Sequence, residues 1–232
     1  MDNNLRVVIA AAGVGRRMGG EINKQYRLLL SRPVLAYSID VFEAHPQVDE
    51  IVVVAHPDEV NYCQREVIGR YGYKKVSRVI PGGAERQDSV WAGLQSLGTD
   101  TAYVAVHDGA RPLLSKQLID RLLESAREWG AAIPGVMARD TLKMIDRDEF
   151  VGHTLDRSVV SLIQTPQIFQ YQELIRAYEC AYRDDLMGTD DASLFEVYIG
   201  RVKVVPGEAN NIKMTTTEDL LVAEALLRMN RS

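Results

Sequence analysis

The sequence predicts an α/β fold in which helices cover both faces of a mostly parallel sheet. Short apolar runs rich in β-branched residues alternate along the chain with amphipathic stretches of helical length, as they do in α/β proteins. The runs are apolar at nearly every position, which is typical of strands buried on both faces. Polar clusters follow the ends of these runs, where ligands bind in such sheets. We therefore expect one domain over residues 1–232, with a ligand site at the carboxyl edge of the sheet.

The strands and helices follow from this alternation. Strands are expected at Arg6–Ala10, Glu50–Ala55, Val76–Ile80, Tyr103–Val106, Ala131–Val136 and Val202–Val205. Helices are expected near Pro33–Ala44, Pro57–Tyr71, Arg86–Leu97, Ser115–Trp129 and Tyr171–Arg183. Pro33 and Pro57 suit the first turn of a helix, because an N–H has no intrahelical partner there.

Two further helices are indicated by capping residues. Thr189 or Asp190 can begin one of them as its N-cap, and simple capping is also the expected role of Asp191. Thr215 and Glu218 have the spacing of a capping box before a C-terminal helix. We therefore expect Thr215 to be structural.

The composition is that of a soluble globular protein, with 46% hydrophobic and 25% charged residues. The net charge of −5 argues against a general nucleic-acid-binding protein, which would present a basic surface. Cys63 and Cys180 lack the spacing of metal ligands, so reduced thiols are expected. Residues 1–6 are polar and carry no apolar signal-peptide core, and no apolar run approaches the length of a membrane span. These features predict a cytoplasmic protein with neither a nucleic-acid nor a membrane partner.

The stretch from Val7 to Lys24 is the first candidate binding segment. It reads V-V-I-A-A-A-G-V-G-R-R-M-G-G-E-I-N-K, a buried strand followed by small residues and cations. A glycine-rich turn can merely reverse the chain. Small residues also let backbone N–H groups approach a polyphosphate, and nearby cations neutralise it. The segment thus predicts a binding site for a nucleoside triphosphate.

Two familiar phosphate-binding motifs fit this loop poorly. A P-loop requires Gly-Lys followed by Ser or Thr, and the sequence contains no such triplet. Gly13, Gly15 and Gly19 miss the spacing of the dinucleotide fingerprint by one residue. Arg17 and Lys24 add positive charge instead. This pattern favours a triphosphate whose leaving group must be held.

Two later clusters also follow predicted strands. The segment P-G-G-A-E-R-Q-D-S-V at 81–90 is either a tight turn with ordinary caps or a loop that brings backbone groups and Ser89 against a base. In H-D-G-A-R-P at 107–112, Asp108 could hold ribose hydroxyls or Mg²⁺ and Arg111 a phosphate. His107 is expected to anchor the loop rather than to act as a base.

The segment at about 139–160 interrupts the strand–helix alternation. Apolar and polar residues alternate around Asp146-Arg147-Asp148, which can turn a hairpin. Such a hairpin is either a surface loop or an arm that pairs with a second subunit.

Taken in order, the motifs form a series along nearly the whole chain. They are A-A-A-G-V-G-R-R-M-G with Lys24-Gln25, G-G-A-E-R-Q-D-S-V, H-D-G-A-R-P, D-T, Q-T-P-Q-x-F, T-D-D-A-S and N-I-K-x-T. From Ala10 to about Leu221 this series resembles the 2-C-methyl-D-erythritol 4-phosphate cytidylyltransferases, CTP-using enzymes of the non-mevalonate isoprenoid pathway. The resemblance implies a Rossmann-like nucleotidyltransferase fold with a projecting β-arm, Mg²⁺ dependence, and a homodimer joined through the arm at 139–160.

The resemblance also implies roles for the matching positions. Groups that would stabilise charge or position the attacking phosphate are Arg17, Lys24, Arg157 and Lys213, with Arg157 reaching across the dimer. Groups that would hold CTP are Ala11, Ala12, Gly13, Gly15, Gly83, Ser89, Asp108 and Gly109. Groups that would bind the sugar phosphate or line its pocket are Asp108, Arg111, Thr141, Arg157, Thr165, Thr189 and Lys213. Mg²⁺ would be held mainly by the CTP phosphates, with Asp108 as the candidate protein ligand.

One departure and two alternatives accompany this interpretation. Asn210 stands where relatives commonly carry an acid, so the resemblance assigns no metal or lysine-orienting role to that position. A D-ribitol 5-phosphate cytidylyltransferase would share the fold and CTP, but its first loop is expected to read L-A-G-G-x-G-S-R-M. A non-catalytic nucleotide-binding protein would be expected to lose the charged positions, which are all present here.

Overall fold

A computed structural model describes residues 4–13 and 23–229. Four parallel strands form one part of the main sheet, in the order β6-β1-β4-β5. Val8 of β1 stands opposite Val52 on one neighbour and Val106 on the other. These strands are β1 (Leu5–Ala11), β4 (Val48–Ala55), β5 (Val76–Pro81) and β6 (Tyr103–Asp108); a small separate pair is β2 (Leu28–Leu29) with β3 (Arg32–Pro33).

The rest of the main sheet mixes directions. Strand β11 runs antiparallel to both β6 and β7, β10 continues antiparallel along β7, and β12 pairs with β7 in parallel. The Thr165–Pro166 peptide bond between β10 and β11 is cis. These strands are β7 (Ala131–Met137), β10 (Ser161–Ile163), β11 (Gln167–Gln170) and β12 (Lys203–Pro206).

Helices pack on both faces because successive strand residues point to opposite sides. Val7 and Ile9 face one apolar layer with α1 and α4, while Val8 faces a second layer with α3, α5 and α6. Helix α7 packs with Leu29 and Met214 in a smaller third cluster. The helices are α1 (Val34–Glu43), α2 (Val60–Tyr62, continued as a π-helix over Cys63–Gly69), α3 (Arg86–Gln95), α4 (Lys116–Trp129), α5 (Tyr171–Arg183), α6 (Asp191–Tyr198) and α7 (Thr217–Met229). Among the described residues, no helix is long and apolar enough to cross a membrane.

The predicted strands and helices are confirmed within a few residues, while the short strands β2 and β3 and the strands β10 and β11 were not predicted. Asp190, rather than Thr189, caps α6 through a bond from the Ser193 N–H. The expected capping box of Thr215 with Glu218 is wrong by one position. Thr216 accepts the Asp219 N–H instead, and Asp219 accepts the Thr216 N–H. The shift arises because α7 begins at Thr217.

The predicted hairpin in the segment at 139–160 is present. Strands β8 (Lys143–Ile145) and β9 (Val151–Thr154) pair antiparallel. The Asp146 carboxylate accepts backbone N–H bonds from Asp148 and Phe150 and so closes the turn. We call residues 139–160 the arm.

Candidate active site

A cavity of about 620 Å³ lies at the carboxyl ends of the parallel strands. Each of β1, β4, β5 and β6 contributes the residues that follow it, as expected for a sheet of this type. The lining residues are 10–13 at the end of β1, 56–57 after β4, 82–86 and Ser89 after β5, and Asp108 and Ala110 at the end of β6, together with Lys24, Gln25 and Lys213. We call this cavity the crevice.

The loop after β5 is held by close packing. A Cβ at Gly82 would lie 2.5 Å from Cβ of Ala12, and one at Gly83 would collide with Asp88. Ser89 Oγ accepts the Gly83 N–H at 3.2 Å and donates to the Glu85 carbonyl at 3.1 Å. The Ser89 hydroxyl therefore fixes the shape of this loop in addition to lining the crevice.

Asp108 is the carboxylate around which the cations at the crevice gather. Its carboxylate lies 2.8 Å from Lys213 Nζ, 3.3 Å from Arg86 Nε and 3.7 Å from Arg111 Nε. Burial raises the pKa of Asp108, but the charges of Arg86, Lys213 and Arg111 outweigh burial and hold that pKa well below its usual range. The carboxylate is thus ionised at neutral pH and serves as a counter-ion to cations from separate segments.

Arg86 is a site residue that the sequence analysis did not single out. Its guanidinium lines the crevice, and its Nη2 donates to the fully buried Asp191 at 2.8 Å. Tyr178 also donates to Asp191, at 2.5 Å. The expectation that Asp191 is a simple cap is therefore wrong, because its carboxylate pairs with Arg86. The doubled acid in T-D-D-A-S was the available signal, since one acid suffices for the cap.

A buried hydrogen-bond chain lies behind Asp108. The Asp108 N–H donates to Thr165 Oγ1 at 3.0 Å, and that hydroxyl lies 3.2 Å from His107 Nδ1. His107 Nε2 faces the Arg111 carbonyl at 3.2 Å, so Nε2 carries the ring proton and Nδ1 accepts. Burial lowers the pKa of His107 to about 4. His107 thus anchors the loop as a neutral ring, as predicted.

The crevice brings together part of the predicted site. The predicted residues that line it are Ala11, Ala12, Gly13, Lys24, Gly83, Ser89, Asp108 and Lys213. Gly15 and Arg17 lie outside the described residues. Gln25, His56 and Glu85 line the crevice but were not predicted as site residues.

The remaining predicted residues lie elsewhere in this chain. Arg111 is buried, with Nη1 donating to the Asn211 carbonyl at 2.8 Å, and Thr165 is buried behind Asp108. Gly109 packs against Leu35, where an added Cβ would lie 3.0 Å from Cδ1. The other three predicted site residues, Thr141, Thr189 and Arg157, are exposed and do not line the crevice.

The N-I-K motif acts through its first residue. Asn210 is exposed, whereas Asn211 is fully buried and its Nδ2 donates to the Thr165 carbonyl at 2.8 Å. The Asn211 carbonyl also accepts from Arg111. Asn211 thus ties the segment that carries Lys213 to the floor of the crevice.

The donor set does not make a protein-held Mg²⁺ site. Within residues 4–13 and 23–229, no group of three or more His, Cys, Asp or Glu side chains is arranged to hold a metal ion. Asp108 has the oxygen ligands that Mg²⁺ prefers, but Lys213, Arg86 and Arg111 already surround them. The crevice is instead suited to an anion.

The sequence and the fold match one group of known proteins. A family model described as IspD, 2-C-methyl-D-erythritol 4-phosphate cytidylyltransferase, matches residues 5–229. The chain is 46% identical over 226 residues to the cytidylyltransferase of that name from Pelotomaculum thermopropionicum, covering 97% of this chain and 95% of the relative. It is 43% identical to the one from Alkaliphilus oremlandii, with 97% and 95% coverage.

Solved structures agree with the sequence matches. The 4-diphosphocytidyl-2C-methyl-D-erythritol synthase from Anaerococcus prevotii superposes with a TM-score of 0.86 at 33% identity, covering 98% of this chain and 97% of that one. The 2-C-methyl-D-erythritol 4-phosphate cytidylyltransferase from Thermus thermophilus gives 0.76 at 30% identity, covering 98% and 100%. The fold is that of the α/β nucleotidyltransferases.

Proposed function

The chain belongs to the 2-C-methyl-D-erythritol 4-phosphate cytidylyltransferase family, and on that premise we propose which of its residues carry out the reaction. The enzyme transfers CMP from CTP to 2-C-methyl-D-erythritol 4-phosphate in isoprenoid biosynthesis and releases pyrophosphate. The observation that carries the assignment of residues is the crevice itself. It combines small-residue loops from β1 and β5 with the side chains of Lys24, Arg86 and Lys213.

The reaction joins two anions, so charge is the main obstacle. A phosphomonoester has a second pKa of about 6 and is mostly a dianion at pH 7. It can therefore attack the α-phosphate of CTP without a general base. His107, buried as a neutral ring, is not used as one. The remaining task is to neutralise charge and to align the attacking and leaving oxygens.

Lys24 and Arg17 are proposed to stabilise the transition state. Lys24 lines the crevice at the end of the first loop, so its ammonium can meet the α- and β-phosphates and the departing pyrophosphate. Arg17 belongs to the same loop in the sequence and is assigned by the family resemblance. Fixed cations of this kind favour developing charge more strongly than water does.

The CTP site is proposed to lie against the two small-residue loops. Backbone groups of these loops would contact the cytosine, the ribose and the phosphates. The residues assigned to CTP are Ala11, Ala12, Gly13, Gly15, Gly83, Ser89, Asp108 and Gly109. Mg²⁺ would arrive with the triphosphate and supply further neutralisation of its oxygens.

The sugar phosphate is proposed to bind beside Asp108 and Lys213. The 39% exposed Lys213 side chain can meet the attacking phosphate, and Asp108 can accept from sugar hydroxyls. Arg111 and Thr165 would act from below by holding Asp108 in place. Thr141, Thr189 and Arg157 complete the proposed pocket from outside the crevice.

The arm is proposed to form a homodimer in a cytoplasmic enzyme. Phe150 is 71% exposed and Val159 is 82% exposed, and both belong to the arm. Apolar side chains concentrated on a projecting segment are typical of a protein interface. In such a dimer, Arg157 of the arm would reach the sugar phosphate of the other subunit.

Pyrophosphate release from CTP with Mg²⁺ tests the function directly. The purified protein is assayed with 2-C-methyl-D-erythritol 4-phosphate and, in parallel, with D-ribitol 5-phosphate. We expect release with the methylerythritol phosphate and much less with the ribitol phosphate. The reverse preference would contradict the substrate assignment, and release with neither would contradict the activity.

A further inference from the structure

The two neighbours of Lys24 share one acceptor. Asn23 Nδ2 donates to Glu59 Oε1 at 2.6 Å, and Gln25 Nε2 lies 3.4 Å from Glu59 Oε2. Glu59 belongs to the short 3₁₀ turn, Pro57–Glu59, that follows β4. One carboxylate therefore accepts from the side chains of both residues that flank the lysine.

The same short segment is also attached to β1. Gln25 is buried, and its Nε2 donates to the Ala11 carbonyl at 2.7 Å. Tyr26 is buried against Tyr62 of α2, with ring centroids 5.0 Å apart in an edge-on arrangement. Residues 23–26 are thus fixed between the end of β1 and the helical segment that carries Glu59.

Glu59 has a partly desolvated carboxylate that lies behind the crevice. Burial raises its pKa, while the bonds from Asn23 and Gln25 favour its charged form. Glu59 itself does not line the crevice, but its partner Gln25 and the adjacent Lys24 do.

We propose that Glu59 is a positioning residue for Lys24, holding Asn23 and Gln25 so that the ammonium is correctly placed for the phosphates of CTP. The inference rests on the role assigned to Lys24 in the proposed function. Accurate placement matters because a misplacement of about 1 Å can cost about 10²-fold in rate.

The test measures steady-state pyrophosphate release with CTP, Mg²⁺ and 2-C-methyl-D-erythritol 4-phosphate. Glu59→Ala is expected to lower kcat by about 10- to 100-fold with an unchanged KM for the sugar phosphate. Glu59→Gln keeps an oxygen acceptor for Asn23 and is expected to stay within about fivefold of wild type. Glu66→Ala is the matched control, because that carboxylate lies in the π-helical part of the helix that follows Glu59 and pairs with the exposed Arg65.

A double-mutant cycle separates positioning from a general loss of structure. If Glu59 acts through Lys24, adding Glu59→Ala to Lys24→Ala lowers kcat by less than about twofold more. If Glu59→Ala lowers kcat equally in the wild-type and Lys24→Ala backgrounds, or leaves the wild-type kcat unchanged, the positioning role of Glu59 is overturned. Either result leaves the role of Lys24 standing. A wild-type rate for Lys24→Ala would overturn the role of Lys24 and the inference together. If Glu59→Ala does not fold, Asn23→Ala takes its place in the cycle, because it removes the 2.6 Å bond between Asn23 and Glu59. The same two results, an equal loss of kcat in both backgrounds or an unchanged kcat, would overturn the inference.

Discussion

The ammonium nitrogen of Lys213 lies 2.8 Å from Oδ2 of Asp108. This contact joins the segment before α7 to the end of β6. Because Arg86 and Arg111 approach the same carboxylate, Asp108 sets the position of cations contributed by three separate parts of the chain. An incoming phosphate would compete with Asp108 for Lys213, while Arg86 stays paired with Asp191.

Asp108→Asn is expected to destabilise the fold. The amide is neutral, so the surrounding cations lose their buried counter-ion, which typically costs about 3 kcal/mol or more. Urea unfolding followed by circular dichroism measures the free energy of unfolding. The control Asp100→Asn removes an exposed carboxylate paired with Arg6 and should lower the free energy of unfolding far less, because water screens that pair. An equal decrease in the free energy of unfolding of the two variants would contradict the prediction.

Lys24→Ala is expected to lower kcat by about 10²- to 10³-fold, as the loss of one fixed electrostatic donor usually does. The melting temperature should change little. Lys74→Ala removes an exposed lysine that does not line the crevice and serves as the control. A kcat within a few-fold of wild type would exclude Lys24 from transition-state stabilisation.

Arg157→Ala is expected to raise KM for the sugar phosphate and to leave KM for CTP unchanged. Arg157 is exposed and lies outside the crevice of its own chain, where its Nη1 donates to the Arg139 carbonyl at 2.6 Å within the arm. Under the proposed dimer it would leave that carbonyl and act at the site of the other subunit. Mixing Arg157→Ala with Lys24→Ala tests this directly. With the sugar phosphate well below KM, where neither parent is active, exchange of subunits would restore one intact site per mixed dimer, about a quarter of wild-type activity for random pairing. No recovery after exchange would show that Arg157 serves its own subunit.

Val159→Asp is expected to weaken the dimer. The side chain is 82% exposed on the arm, and a carboxylate there would be buried without a partner in an apolar interface. Sedimentation velocity over a range of protein concentrations reports the shift toward monomer. Val197→Asp, which is 62% exposed on α6, should leave association unchanged. An unaltered dimer in both variants would place the interface elsewhere.

Acid is expected to destabilise the protein through His107 between pH 6.5 and 4. The folded pKa of about 4 lies below the ordinary 6.5, so the unfolded chain binds a proton first as the pH falls. The free energy of unfolding then drops by up to about 1.4 kcal/mol per pH unit, or roughly 3 kcal/mol in total. His107→Gln should lack this contribution, although burial also lowers the pKa of His45. If the free energy of unfolding falls equally with pH in the wild type and in His107→Gln, the contribution of His107 is contradicted.

Much of the fold follows from local patterns. Apolar runs located β1, β4, β5 and β6 because strands buried on both faces leave a continuous apolar signature. β11 left no such signature. It reads Q-I-F-Q, with a buried Gln167 that bonds to Asp190 and to the Ala192 N–H. Its antiparallel place between β6 and β7 depends on partners distant in sequence.

The site was predictable where a motif follows a strand directly, as for Lys24 and Asp108. Arg86 was missed because it reads as an ordinary first-turn residue of α3. Its importance comes from Asp191, which is 105 residues away. Similarly, Arg111 has the sequence position of a phosphate ligand, but burial beneath Asp108 gives its guanidinium a supporting position.

Met137 and Ser161 stand opposite each other in the main sheet, at the two ends of the arm. The arm is therefore an insertion whose two flanking residues are already neighbours in the sheet. A short turn could replace it without changing the register of β7 with β10. Under the proposed role of Arg157, such a shortened enzyme would no longer form the homodimer, and it would bind the sugar phosphate more weakly for the same reason. Diluting the intact enzyme below the dissociation constant of its dimer should weaken sugar-phosphate binding in the same way. The apparent KM for the sugar phosphate would then depend on enzyme concentration.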